Sequence, residues 1–160
     1  MNRSVVLKRS VAVVVLGFCL AFSSCKKDEK KIIGLWKYEK TELTEFSCSD
    51  PMMTIALKPD AQQYFGYNMV GEVEFTEDGK AIFLSIYGKV IADYKVNDSK
   101  LTIISPSRTE ISDISFPDKK TVVLNRDADM LTLEELRIFL QIEQEVQITK
   151  CRVQTTLTKK

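Results

Sequence analysis

The chain has 160 residues, 44% hydrophobic and 28% charged, enough for one ordinary core and too few for two comfortable domains. Its 23 Lys and Arg nearly cancel its 22 Asp and Glu, so it lacks the charge excess with which proteins hold nucleic acid. It contains no His, which removes the usual general base, the usual zinc ligand and every Ser-His or Cys-His nucleophile pair.

Arg3, Lys8 and Arg9 give a basic start, and residues 11–22 (VAVVVLGFCLAF) form an uncharged apolar run. That run has the length of a signal h-region and is too short to span a bilayer as a mature helix. Ser23 and Ser24 then precede Cys25, after which the composition flips to KKDEKK. The stretch Phe22-Ser23-Ser24-Cys25 resembles a bacterial lipobox, which implies that Cys25 is acylated and anchors the mature chain to a membrane leaflet. Cys19 follows bulky Phe18 and does not compete for that role. An ordinary secretory peptide or a short anchor with an incidental Cys is the alternative. Lys27-Asp28-Glu29 resembles the acidic export signal of Bacteroidota lipoproteins, implying the cell surface or the periplasmic face of the outer membrane. A solvated, extended tether accounts for the same charges. The expected organisation is a signal peptide at 1–24, a charged tether at 25–31 and one folded domain at 32–160. Removing the first 24 residues, with three positive and no negative side chains, takes the net charge from +1 to −2.

From Ile32 onward short alternating segments are punctuated by turn residues, as in an antiparallel barrel or sandwich. Strands are predicted at 35–46, 52–57, 70–75, 81–87, 91–96, 101–104, 111–116 and 121–124. Glu77-Asp78-Gly79, Asn97-Asp98-Ser99 and Pro117-Asp118-Lys119-Lys120 separate them with Gly or Asx chemistry, which predicts a meander. The spacing predicts an up-and-down barrel of about eight to ten strands, which abolishes exposed edges. Next, Thr132 and Glu135 form a capping-box pattern, and the Leu- and Glu-rich stretch predicts a helix from about 130 to 145, although Leu136, Ile138, Leu140 and Ile142 also alternate as a strand would. A closing strand is predicted at 146–157. Cys48 and Cys151 are the cysteines left in the domain, and in an oxidising compartment they are expected to pair, closing a loop of about 100 residues.

Gly34-Leu35-Trp36 opens the first strand, and this Gly-x-Trp resembles the signature first strand of the lipocalins. Physically, the indole is large enough to plug the narrow end of a small barrel, and Gly lets the chain pass close across it. Later strands from Phe75 to Leu124 look like those of lipocalin-like lipoproteins of Bacteroidota. Ala92-Asp93-Tyr94 is an imperfect counterpart of the family's second motif. The family's late Arg, which packs on the Trp, finds a counterpart in Arg126, with Arg152 an equal candidate. The resemblance implies an architecture with a cup rather than a reaction.

Asn125, Asp127 and Asp129 faintly suggest a calcium loop, but Met130 and Leu136 stand where Gly and a bidentate Glu are needed, so an acidic helix start is the plainer reading. Glu72 with Glu74, and Glu42 with Glu45, fall on expected solvent faces rather than in a glycosidase cleft. No catalytic residue, metal or cofactor is therefore expected. Tyr64, Phe65 and Tyr67, with Met52, Met53 and Met69 near in sequence, are the concentration of aromatic and soft side chains able to line a ligand mouth, or else a lid packed on the barrel. Two functions fit: a membrane-anchored protein binding a small apolar or amphipathic ligand, and a non-enzymatic subunit docking on outer-membrane proteins or glycans. Barrel volume separates them, since an interior filled by Trp36, Phe75, Phe83, Tyr87, Tyr94 and Phe116 favours docking and a cavity with a polar entry favours binding.

Overall fold

A computed structural model describes residues 28–67, 71–85, 88–143 and 145–160. The expected signal peptide, Cys19 and the expected acylation site Cys25 lie outside the described residues, as do Met69 and Tyr87. Eight antiparallel strands close into one barrel in which each strand pairs with its sequence neighbours and the last pairs with the first. They are β1 (Gly34–Cys48), β2 (Glu72–Phe75), β3 (Lys80–Ser85), β4 (Gly88–Asn97), β5 (Lys100–Ile104), β6 (Thr109–Ser115), β7 (Thr121–Asp127) and β8 (Ile148–Lys159). Alternation builds the walls: in β4, Ala92, Tyr94 and Val96 are buried while Asp93 and Lys95 between them are exposed.

Turn chemistry sets the register where the sequence placed it. Asp98 and Ser99 both take positive φ (48° and 59°), the two-residue geometry that matches strand twist and joins β4 to β5. At the β6–β7 turn, the Asp118 carboxylate accepts from the Lys120 amide at 2.6 Å and the Thr121 hydroxyl at 3.0 Å.

The predicted strand at 52–57 is instead the start of a helix, α1 (Pro51–Tyr67). Asp50 accepts from the Met52 amide at 2.7 Å, and Pro51 follows it in the first turn, where a missing N–H costs nothing. Met53, Leu57, Ala61, Tyr64 and Phe65 then repeat at helical spacing and pack as one stripe. Pro59 lies inside this helix, and Ile55, four residues earlier, is on its exposed side, where a carbonyl deprived of its donor meets water. The second helix, α2 (Met130–Phe139), stands before the last strand as expected but ends six residues sooner, with Gln141 in the left-handed region at φ 52°. Its N-cap is Asp129, accepting from the Thr132 amide at 2.8 Å, rather than Thr132.

β1 and β8 are the longest strands, pair along nearly their whole length with three register shifts, and carry the two packed clusters at their opposite ends. One cluster fills the closed end of the barrel: Trp36, Phe75, Leu101, Ile114, Val122 and Leu157 with Ile32 beneath them. The other lies under α1 and α2 and includes Leu43, Phe46, Phe65, Leu136 and Val153. The charged segment is helical over 28–32, with Ile32 wholly buried and Lys31 Nζ 5.0 Å from the Phe116 ring, so the domain floor begins ahead of the expected boundary at 32.

Candidate functional site

The closed end is built for packing. Trp36 is 1% exposed, and its indole Nε1 donates to the Ile32 carbonyl at 2.6 Å. Phase of the chain there depends on Gly34, whose φ of +126° disfavours any side chain and whose Cα faces the Lys159 stem. The cation over the indole is Lys159, with Nζ 5.3 Å from the ring, and not Arg126. Arg152, the other candidate, points outward to Asp113 at 3.1 Å. Phe75 and Tyr94 meet edge to face at 5.0 Å, and the Tyr94 hydroxyl donates to the Thr76 carbonyl at 2.9 Å.

Polarity rises toward the other end. Thr41 and Thr155 share a buried hydroxyl contact at 3.1 Å across β1 and β8, and Ser112 is buried on β6. The Gln62 amide ties α1 to β1 by accepting from the Leu43 amide at 2.5 Å and donating to the Thr41 carbonyl at 3.0 Å. Tyr38 lies in the same belt; burial pushes its phenol well above the ordinary range, the Glu110 charge adds to this, and Arg126 opposes it.

Above this belt a cavity of about 500 Å³ opens between the barrel rim and the two helices, lined by Tyr64, Phe65, Arg108, Glu110, Arg126, Thr132 and Glu135. That volume is in the range of small-molecule sites, about 300 to 1,000 Å³. Glu110 pairs in register with Ile103, and Arg126 with the wholly buried Val153, so the alternation of each strand turns both side chains inward. Arg108 grips the N-cap of α2: Nε reaches Asp129 Oδ2 at 3.1 Å, Nη2 reaches Oδ1 at 3.0 Å, and Nη2 also donates to the Thr132 hydroxyl. Nε lies 3.1 Å from Glu110 as well. Burial works against the Asp129 charge, but the bonds from Arg108 and Thr132 overcome it and hold the carboxyl well below the usual carboxylate range. On the facing wall the Tyr64 hydroxyl donates to Glu135 at 3.0 Å, while its ring stacks edgewise on Phe65 at 5.1 Å and lies 5.3 Å from Phe139. Burial first, and then the Glu135 bond, push the Tyr64 phenol up to about 12.

Tyr64 and Phe65 therefore line the cavity, joined by Arg126, which the sequence had assigned to the opposite end. Tyr67 closes α1, and its side chain lies outside what the structure describes. Arg108, Glu110, Thr132 and Glu135 were not foreseen; the available signal was the row Glu110, Ser112, Ile114, whose inward phase the rival row Ile111, Asp113, Ser115 obscures. Cys48 and Cys151 are not bonded: both are free and buried. Register gives the reason, because Cys151 stands opposite Phe46 while Cys48 pairs with Ile148 across a strand irregularity. The carboxylates considered as catalytic pairs face solvent cations, Glu72 with Lys160, Glu42 with Lys40 and Glu45 with Lys150. Among the described residues no group of three or more His, Cys, Asp and Glu is placed to hold a metal. No described helix is long and apolar enough to cross a membrane. No protein-family model, no curated protein and no solved structure matches this chain.

Proposed function

We propose that the protein is a lipocalin-like lipoprotein, attached through acylated Cys25 to the outer membrane, whose barrel mouth binds a small amphipathic molecule without transforming it. The observation that carries this reading is the mouth cavity, with aromatic rings on one wall and oriented charges on the other. Such a lining suits a ligand with an apolar body and a polar end. The closed end contributes rigidity, since Trp36, Phe75 and Tyr94 fill it and leave the helix-covered end to receive the ligand. The anchoring part of the proposal rests on the lipobox resemblance and the apolar run before it.

A second reading, an accessory subunit that docks on other envelope proteins or glycans, draws support from that filled end and from apolar side chains on the outer wall, Ile91 and Ile111, which are more than half exposed. Native mass spectrometry of the protein purified from its own host separates the two. Retention of a small molecule that organic extraction removes is the expected result. A chain carrying nothing but its lipid, recovered with a stoichiometric protein partner, overturns the binding reading in favour of docking.

A further inference from the structure

Resting on the binding reading, we propose that the mouth selects an amphipathic monoanion, such as a medium-chain carboxylate, and that Arg126 is the residue that reads its charge. Every other charged side chain on the cavity wall has a partner. Arg108 is held by Asp129 and Glu110, and Glu135 accepts the Tyr64 hydroxyl. Arg126 forms no hydrogen bond or ion pair among the described residues, although it is half-buried and turned inward beside Val153. A half-buried guanidinium that no described carboxylate bonds gives up part of its hydration without a direct partner, and an anion brought to it recovers that loss through paired N–H donors.

The geometry also limits the anion. Glu110 and Glu135 share the lining with Arg126, so a polyphosphate or dicarboxylate would bring its extra charge against them, whereas one carboxylate meets the one lining cation that no described residue bonds. Tyr64 and Phe65, meeting edge to face, offer the opposite wall to an alkyl chain or ring. Their placement on α1 means that the helix covering the mouth supplies the apolar contact and the barrel strand β7 supplies the charge.

The test compares decanoate, decanol and decylamine, which share a chain and differ at the head, by calorimetric titration of the wild type, Arg126→Gln and Arg126→Lys. Decanoate is expected to bind the wild type at least about tenfold more tightly than decanol, as a charge-assisted pair allows, with decylamine no better than the alcohol. Arg126→Gln should erase the preference, bringing decanoate and decanol to equal affinity, and Arg126→Lys should restore part of it. Equal binding of decanoate and decanol by the wild type overturns the anion preference and leaves a neutral binding cavity, whereas an undiminished preference in Arg126→Gln overturns the assignment to Arg126 and passes it to Arg108 on the same wall. Failure of all three ligands to bind the wild type overturns the binding reading itself. The wild-type comparison tests the anion preference by itself, and the two variants test Arg126 independently, so loss of folding in one leaves the other to decide the assignment.

Discussion

Replacing Trp36 by Ala removes the largest side chain of the closed end, and the structure allows its cost to be assembled. The indole is 1% exposed, so the large-to-small change in a packed core costs about 3 to 5 kcal/mol. The buried Ile32 carbonyl also loses the 2.6 Å donor it now has, about 1 kcal/mol more. Lys159 loses its aromatic partner, worth about 0.5 kcal/mol because that ammonium is near solvent. Roughly 5 kcal/mol in all, set against an unfolding entropy of about 2.1 cal/mol/K per residue over the span 28–160, lowers the melting temperature by about 15 to 20 °C. Thermal circular dichroism measures this, and Trp36→Phe, which keeps much of the ring volume but not the donor, should fall between. The chain has a single Trp, so acrylamide quenching of wild-type fluorescence reports on this side chain alone. Ready quenching combined with a melt unchanged within about 3 °C would refute the plug role.

Asp129→Asn keeps a competent helix cap but loses the charge pair with Arg108. Since the folded-state pKa of Asp129 is depressed, the wild type's stability advantage is complete above the unfolded value of about 3.9 and fades as the pH falls below it; parallel urea melts across that range should converge, and a pH-independent gap contradicts the pairing. Burial raises the Cys151 thiol to about 11, so native protein at pH 8.5 should resist iodoacetamide while denatured protein reacts rapidly. The same shift contributes stability that is whole below the unfolded value of about 8.5 and is lost as the pH climbs toward 11, which alkaline melts can follow. Ser99→Gly relieves a positive φ in the β4–β5 hairpin and should stabilise by about 0.5 to 1 kcal/mol in chemical denaturation; a loss of stability there means the Ser side chain contributes more than the backbone strain costs.

The barrel was legible because its information is local. Alternation in β4 and β5 and the Asx and Gly turns between strands each specify one hairpin, and a chain of hairpins has few ways to close. α1 was missed for an equally local reason: exposed Met52 and Ile55 blur its apolar stripe, and Pro59 argues against a helix that tertiary packing nevertheless maintains. Ser49-Asp50-Pro51 carried the helix-start signal that outweighs both. The site was legible only where it is aromatic. Tyr64 and Phe65 stood out by composition, but Arg108 and Glu110 come from the start of β6 and Glu135 from α2, and their meeting depends on where α2 lands on the barrel rim. Arg126 was noticed and given the wrong end, because a strand's alternation tells which way a side chain points but not how far along the barrel axis it sits.

The β1 strand leaves the plugged end at Gly34 and reaches the helix-covered end by Cys48, and the last residue returns to the start, with the Lys160 amide bonded to the Leu35 carbonyl at 3.0 Å. Both ends of the described domain therefore emerge on the same side, opposite the cavity. Under the proposed attachment through the segment ahead of Asp28, the molecule would be held by its base, with the opening aimed away from the point of attachment and about 20 to 25 Å of strand, the seven residue steps from Trp36 to Leu43, between the plugged end and the helix-covered one.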